Sequence, residues 1–202
     1  MKILENKQNT DAWFSDRLGK VTGSKLKNIV VKRGTNKKIG FYELIADRLA
    51  TEEPEEDPRE RGHRLEDVAI AEFEKLTKKK VKQVGLCISD ENENIALSPD
   101  GLIGKNNEEA VEVKCLNSAK HLQTYFEQEI PSEYHEQAMQ YFIVNEKLKK
   151  LYFVMFDPRI TVKPIHWIEI KREDVKDEIE FLRDYQTQVL EEVEALITNL
   201  TF

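Results

Sequence analysis

Residues Leu151–Phe156 read LYFVMF, a nearly continuous apolar strand signal that belongs in a strand covered on both faces. The run is far shorter than the roughly 18 apolar residues of a membrane span, and no other stretch approaches that length. A core strand of this kind needs layers on either side, and the flanking sequence supplies them. Thr10 can cap a short helix containing Trp13, Phe14 and Leu18. Ile39, Phe41, Tyr42, Leu44, Ile45 and Leu49 suit a second helical face. Leu65, Val68, Ala69, Phe73 and Leu76 suit a third, longer helix. The period then changes: Val81–Ser89, Ile95–Ser98 and Ala110–Lys114 read as strands. Helical stretches follow at Ser118–Gln128 and Ser132–Glu146, then a strand over Ile165–Ile170 and a long amphipathic helix from about Arg172. Helices, a central set of strands and further helices predict an α/β layered domain.

The 202 residues suit one domain, 1–202, with no internal repeat and no dividing linker. Thr51–Pro58, acidic and proline-containing, is the best loop candidate. The N-terminal residues MKILENKQNTDAW lack a signal-peptide core, so a cytoplasmic protein is expected. Cys87 and Cys115 lack C-x-x-C spacing and are expected as free, partly buried thiols. The formal charge of −7 argues against a protein that coats DNA. It leaves room for local contact, because Lys25, Lys27, Lys32, Arg33, Lys37 and Lys38 fall in one stretch without an acid, while Glu52–Glu60 is acidic. The basic stretch is either a DNA track or a solvated loop.

The segment Ile95–Lys114, IALSPDGLIGKNNEEAVEVK, carries the chemistry. Lys105-Asn106-Asn107 is turn-forming sequence between two strand-like runs. A turn centred on Asn106 opposes residues whose numbers sum to 212, and Asp100 and Glu112 do so. Opposed residues of an antiparallel pair share a face, with Cβ atoms about 4.5–5.5 Å apart. Two carboxylates at that distance repel unless a cation lies between them, and Mg²⁺ suits one or two carboxylates with water and phosphate oxygens. Lys114 shares the face of Glu112, while Val111 and Val113 point away. A cation beside an ammonium is a device for phosphodiester hydrolysis. An E-x-K alone is common on exposed strands; the combination of S-P-D-G-L, an asparagine turn and E-V-K-C is far more specific.

That combination resembles the catalytic core of the lambda exonuclease-like family of phage recombination nucleases, a branch of the P-D…(D/E)-x-K superfamily. The resemblance implies a restriction-endonuclease-like fold, a central mixed β-sheet flanked by helices. It implies that Asp100, Glu112 and the carbonyl of Val113 bind Mg²⁺, for which Mn²⁺ can substitute, and that Lys114 acts on the attacking water. Arg17-Leu-Gly-Lys-Val-Thr-Gly-Ser24 resembles the family's R-x-G-x-x-T-x-S element, so Arg17 and Ser24, joined by Ser98, would bind a 5′-terminal phosphate. Without the resemblance, the better reading is Ser24 as a helix cap and Arg17 as a surface cation. Arg61-Gly-His-Arg-Leu-Glu66 matches the family's helical glutamate, so Glu66 would complete the acidic cluster directly or through water. His63 precedes it by one turn, but no H-x-x-x-H pair supports zinc. Ile130–Tyr141 resembles P-x-x-Y-x-x-Q, which places Gln137 where an amide could orient the lysine or the scissile phosphate. Relatives often carry a second glutamine two residues on; here it is Met139, and Gln140 points about 100° away. Phe156-Asp-Pro-Arg159 resembles a strand-end D-P-R and reads as structural.

The resemblance further implies a 5′→3′ exonuclease on double-stranded DNA ends. It would release 5′-mononucleotides and leave a 3′ overhang in a bacterial or phage-infected cell. A homotrimeric ring and a partnering single-strand annealing protein are part of the same implication. Two alternatives remain open at this point: an endonuclease or repair nuclease of the same superfamily, and a non-catalytic DNA-end-binding scaffold.

Overall fold

The computed structural model describes residues 4–52 and 57–200. Four helices come first: α1 (Asp11–Arg17), α2 (Gly23–Leu26), α3 (Ile39–Leu49) and α4 (Pro58–Thr77). Thr10 caps α1 by accepting from the backbone N–H of Trp13 at 3.3 Å. Asp57 caps α4 through the N–H groups of Arg59 and Glu60, and Pro58 fills the first turn, where its missing N–H costs nothing. The chain leaves α4 at Lys78 in the left-handed conformation, φ 60°. Half of the loop expected over Thr51–Pro58, residues 53–56, lies outside the described residues.

Five strands form the main sheet: β1 (Val81–Lys82), β4 (Gly101–Ile103), β5 (Glu109–Lys114), β6 (Lys150–Phe156) and β7 (Ile165–Lys171). Their order is β1-β4-β5-β6-β7; only the β5–β6 pair is parallel, so the sheet is mixed. A separate ribbon joins β2 (Cys87–Ile88) to β3 (Ala96–Leu97). The strand expected over Val81–Ser89 is therefore divided between two sheets, with Gly85 in the break. Val81 pairs so closely with β4 that a Cβ on Gly101 would sit 2.1 Å from its Cγ1. Only glycine fits there.

The β5–β6 crossover passes through α5 (Ser118–Glu127) and α6 (His135–Val144). After Pro131, residues Ser132–Tyr134 form a 3₁₀ turn, so α6 starts later than the sequence pattern suggests. Another 3₁₀ turn, Arg172–Asp174, precedes α7 (Lys176–Leu200). The central strand β6 behaves as its sequence requires. Leu151, Phe153 and Met155 pack with Met139 and Phe142 of α6 and Ile179 of α7. Tyr152, Val154 and Phe156 pack with Leu65, Ala69 and Phe73 of α4 on the other face. The first helical faces are less covered than periodicity predicts: Phe41, Leu49, Val68 and Leu76 are exposed, whereas Tyr42 and Ala46 of α3 are buried with Ala119 and Leu122 of α5. Among the described residues, no helix is long and apolar enough to cross a membrane.

Candidate active site

Register places the acids. Gly101 pairs with Val111, Leu102 with Ala110 and Ile103 with Glu109, and each pair sums to 212. Extending the ladder by one step brings Asp100 opposite Glu112. Leu102 and Ala110 face the α6 layer, so Asp100 and Glu112 share that side by strand alternation. Val111 and Val113 face α4. The carboxylates therefore lie between sheet and helix rather than on an open face, and Glu112 is 1% exposed.

A buried carboxylate needs partners, and α6 provides them. Gln137 Nε2 donates to Glu112 Oε1 at 2.7 Å, and Lys114 Nζ approaches the same oxygen at 2.5 Å. The Tyr141 hydroxyl donates to Glu112 Oε2 and accepts from the backbone N–H of Asp100 at 3.2 Å. Asp100 Oδ2 accepts from the Val113 N–H at 2.7 Å. Burial pushes the Asp100 carboxyl up to about 7; the charges of Glu112 and Glu66 add to this, against the Val113 hydrogen bond and Lys114. Glu66 comes from α4, yet it lines the same cleft as Asp100, Val113, Lys114, Asn117, Lys120 and Tyr134. The cleft holds about 550 Å³. His63 is also on its wall. Lys114 lies over the Tyr134 ring at 4.9 Å.

A hard divalent cation fits the chemistry of this donor set: Asp100 and Glu66 line the cleft, the Glu112 carboxylate lies close to Asp100, and burial with those neighbouring acids disfavours the Asp100 charge, a cost that a cation would offset. Among the described residues, no group of three or more His, Cys, Asp or Glu side chains stands where it could hold a metal ion, so Glu66 is not gathered with Asp100 and Glu112 as a third ligand.

Arg17 and Ser24 form a second polar cluster. Arg17 Nη2 donates to Thr22 Oγ1 and Ser24 Oγ, each at 3.3 Å, while its guanidinium stacks on Trp13 at 4.3 Å. The loop is pinned at Gly19, φ +64°, whose N–H reaches Asp47 and whose carbonyl accepts from Arg48. Lys25 is tied to the same Asp47 at 2.6 Å, so this cation of the basic stretch is already paired. Ser98 is exposed, and no hydrogen bond among the described residues joins it to Arg17 or Ser24. Gln140 bonds to the Ala96 carbonyl and to Gln186, and Met139 is fully buried, so neither stands in for a second glutamine at Glu112.

The strand-end D-P-R is a brace. Asp157 is fully buried and accepts from Arg61 (2.8 Å), Arg159 (2.8 Å) and Ser118 (2.6 Å). Burial alone would raise its pKa, but those donors outweigh burial and hold it below the ordinary value. Arg61 also reaches the carbonyls of Cys115 and Leu116, so the end of β5 is fastened immediately past Lys114. Tyr141 is the residue that motif reading missed; its sequence signal is its spacing, one helical turn after Gln137. A cavity of about 500 Å³ lies behind it, lined by Cys87, Leu97, Pro99 and Leu102, and contains neither Glu112 nor Lys114.

A family model described as the YqaJ-like viral recombinase domain matches residues 12–147. The crystal structure of an alkaline exonuclease, LHK-Exo from Laribacter hongkongensis, superposes with a TM-score of 0.61 at 28% identity, covering 95% of this chain and 98% of that one. The structure of LHK-Exo in complex with dAMP gives the same figures. No curated protein matches the chain. The architecture is thus that of the P-D…(D/E)-x-K nucleases, a central mixed sheet between helices.

Proposed function

Since this chain belongs to the YqaJ-like viral recombinase family, we propose that it is a divalent-metal-dependent exonuclease working 5′→3′ on double-stranded DNA ends. Its membership and its exonuclease neighbours make it a phage-type deoxyribonuclease; metal, polarity and product are our reading. The observation that carries this reading is the convergence of Asp100, Glu112 and Lys114, with Gln137 and Tyr141 holding the glutamate. Mg²⁺ is the natural ion, and Mn²⁺ is expected to substitute. Asp100, Glu112 and the Val113 carbonyl would hold it, with Glu66 reaching it directly or through water. When bound, the ion would polarise the scissile phosphate and acidify a water.

The side chains supply the remaining work. Lys114, on the rim of the cleft, orients the attacking water and offsets charge developing on the phosphate. Gln137 and Tyr141 fix the glutamate so that little reorganisation is needed during reaction. Arg17 and Ser24 form a fork for a 5′-terminal phosphate, with Ser98 as a third donor when DNA is bound. The dAMP held by LHK-Exo is a deoxynucleoside monophosphate, the class of product proposed for this chain. The 3′ overhang left behind would pass to a single-strand annealing protein. We place three copies in a ring around the duplex, which would retain the substrate without a positively charged body.

Duplexes labelled at the 5′ or the 3′ end, with and without a 5′ phosphate, test this in Mg²⁺ and in chelator. The 5′ label is expected first, faster with the phosphate, and not at all in chelator. Earlier release of the 3′ label would overturn the polarity. Nicking of a closed circle at a comparable rate would replace the exonuclease with an endonuclease.

A further inference from the structure

Helix α7 leaves a long apolar stripe uncovered. Ile179 is its only buried residue among those described, whereas Phe181 (66%), Tyr185 (58%), Val189, Val193, Leu196 and Leu200 are exposed. Steps of three and four residues align these side chains on one face. At 1.5 Å per residue the stripe runs roughly 30 Å. Exposed apolar surface of that extent marks an interaction site. Its flanks are of one sign: from Asp184 to Leu200 the helix carries Asp184, Glu191, Glu192 and Glu194 and no lysine or arginine.

The complementary surface lies on the same chain. From Lys20 to Phe41 there is no acid; Lys27, Lys32 and Arg33 are exposed among exposed Leu26, Val30 and Phe41. Phosphate contacts need cations, but a phosphate track has no use for apolar side chains standing between them. A protein surface that is acidic and apolar has use for both.

We propose that α7 of one copy docks on the Lys20–Phe41 segment of a second copy, acid to base and apolar to apolar. Two different surfaces meet, so the contact is head-to-tail and repeats until the ring closes. The inference rests on the ring proposed above and specifies its contact. The docked segment contains Ser24 and starts three residues after Arg17, so each copy braces its neighbour's end-phosphate fork.

Charge reversal with rescue is the test, read as solution mass by light scattering on the full chain. Wild type should give the mass of three 23.6 kDa chains. The set Glu191→Lys, Glu192→Lys, Glu194→Lys should weaken assembly by at least about a hundredfold, as should Lys27→Glu, Lys32→Glu, Arg33→Glu. An equimolar mixture of the two variants should associate beyond either variant alone, since every contact between unlike chains pairs opposite charges, but should stop short of the wild-type mass, because a three-membered ring of two kinds keeps one like-charge contact; a chain carrying both sets should regain the wild-type mass. Circular dichroism checks that the helices remain, and the neutral set Glu191→Gln, Glu192→Gln, Glu194→Gln weakens assembly in the same direction. A monomeric wild type would remove the ring and this contact together. An oligomeric wild type whose α7 reversal stays assembled would remove this contact alone. Failure of the double set to reassemble would refute the pairing, as would a Lys27/Lys32/Arg33 reversal that keeps its mass and loses only DNA binding.

Discussion

Both oxygens of Glu112 are engaged, Oε1 by Lys114 and Gln137 and Oε2 by Tyr141. Tyr141→Phe keeps the ring in its packed position but leaves a buried carboxylate oxygen and the Asp100 N–H short of a partner. Loss of such a bond costs about 1–3 kcal/mol, so the urea midpoint should fall with the fold intact. The rate of nucleotide release should fall as well, chiefly in kcat, because the glutamate is no longer held. Unchanged kcat in Tyr141→Phe would remove the hydroxyl from the site. Lys114→Ala should lower nucleotide release about a hundredfold or more if, as proposed, its charge faces the transition state. Parity explains what sequence could tell here. A turn on Asn106 fixes which strand residues share a face, so Asp100, Glu112 and Lys114 can be grouped before any coordinates exist. Tyr141 cannot be grouped that way. Its role depends on which side of the sheet α6 covers, and that follows from the whole crossover rather than from any local period.

Elements show the same division. β6 is legible because its apolar run admits one environment; α5, expected over Ser118–Gln128, stands at Ser118–Glu127, where Asn117 caps it by accepting from the Lys120 N–H. The split of Val81–Ser89 is not legible, because it depends on which partner strand each half meets. Gly101 records that contact. Gly101→Ala should destabilise by about 1–3 kcal/mol through overcrowding against Val81, and adding Val81→Ala should recover part of it in chemical denaturation. Between α5 and β7, His121 and His166 meet edge to face with centroids 4.5 Å apart. Burial, then the charges of His121 and Lys163, pushes His166 down to about 3; burial also lowers His121. The fold keeps both neutral, whereas the unfolded chain binds protons near 6.5. Their stabilisation is therefore present above 6.5 and lost as pH falls from there toward 3. Asp100, raised to about 7, acts in the opposite direction, since its protonated form is favoured in the fold. Urea titrations of the Asp100→Asn chain between pH 7 and 5 isolate the histidines. Stability should decline with acid, and a flat response would contradict their neutral burial.

At the scale of the molecule, a net charge of −7 has to coexist with a polyanionic substrate. The proposed divalent cation would reduce that conflict where it is sharpest. Mg²⁺ should therefore raise the thermal midpoint of wild type above pH 7 and leave that of the Asp100→Asn, Glu112→Gln chain nearly unchanged; equal shifts in both would place the ion elsewhere.

The residues proposed to do the work lie far apart along the chain: Glu66 on α4, Asp100 at the head of β4, Glu112 and Lys114 on β5, Gln137 and Tyr141 on α6. β5 must also find β6, its parallel neighbour, which emerges from the ribosome later still. A half-made polypeptide consequently lacks the residues that would complete the site. Ribosome-stalled products ending before residue 130 should leave linear duplex uncut, while a released full-length product digests it.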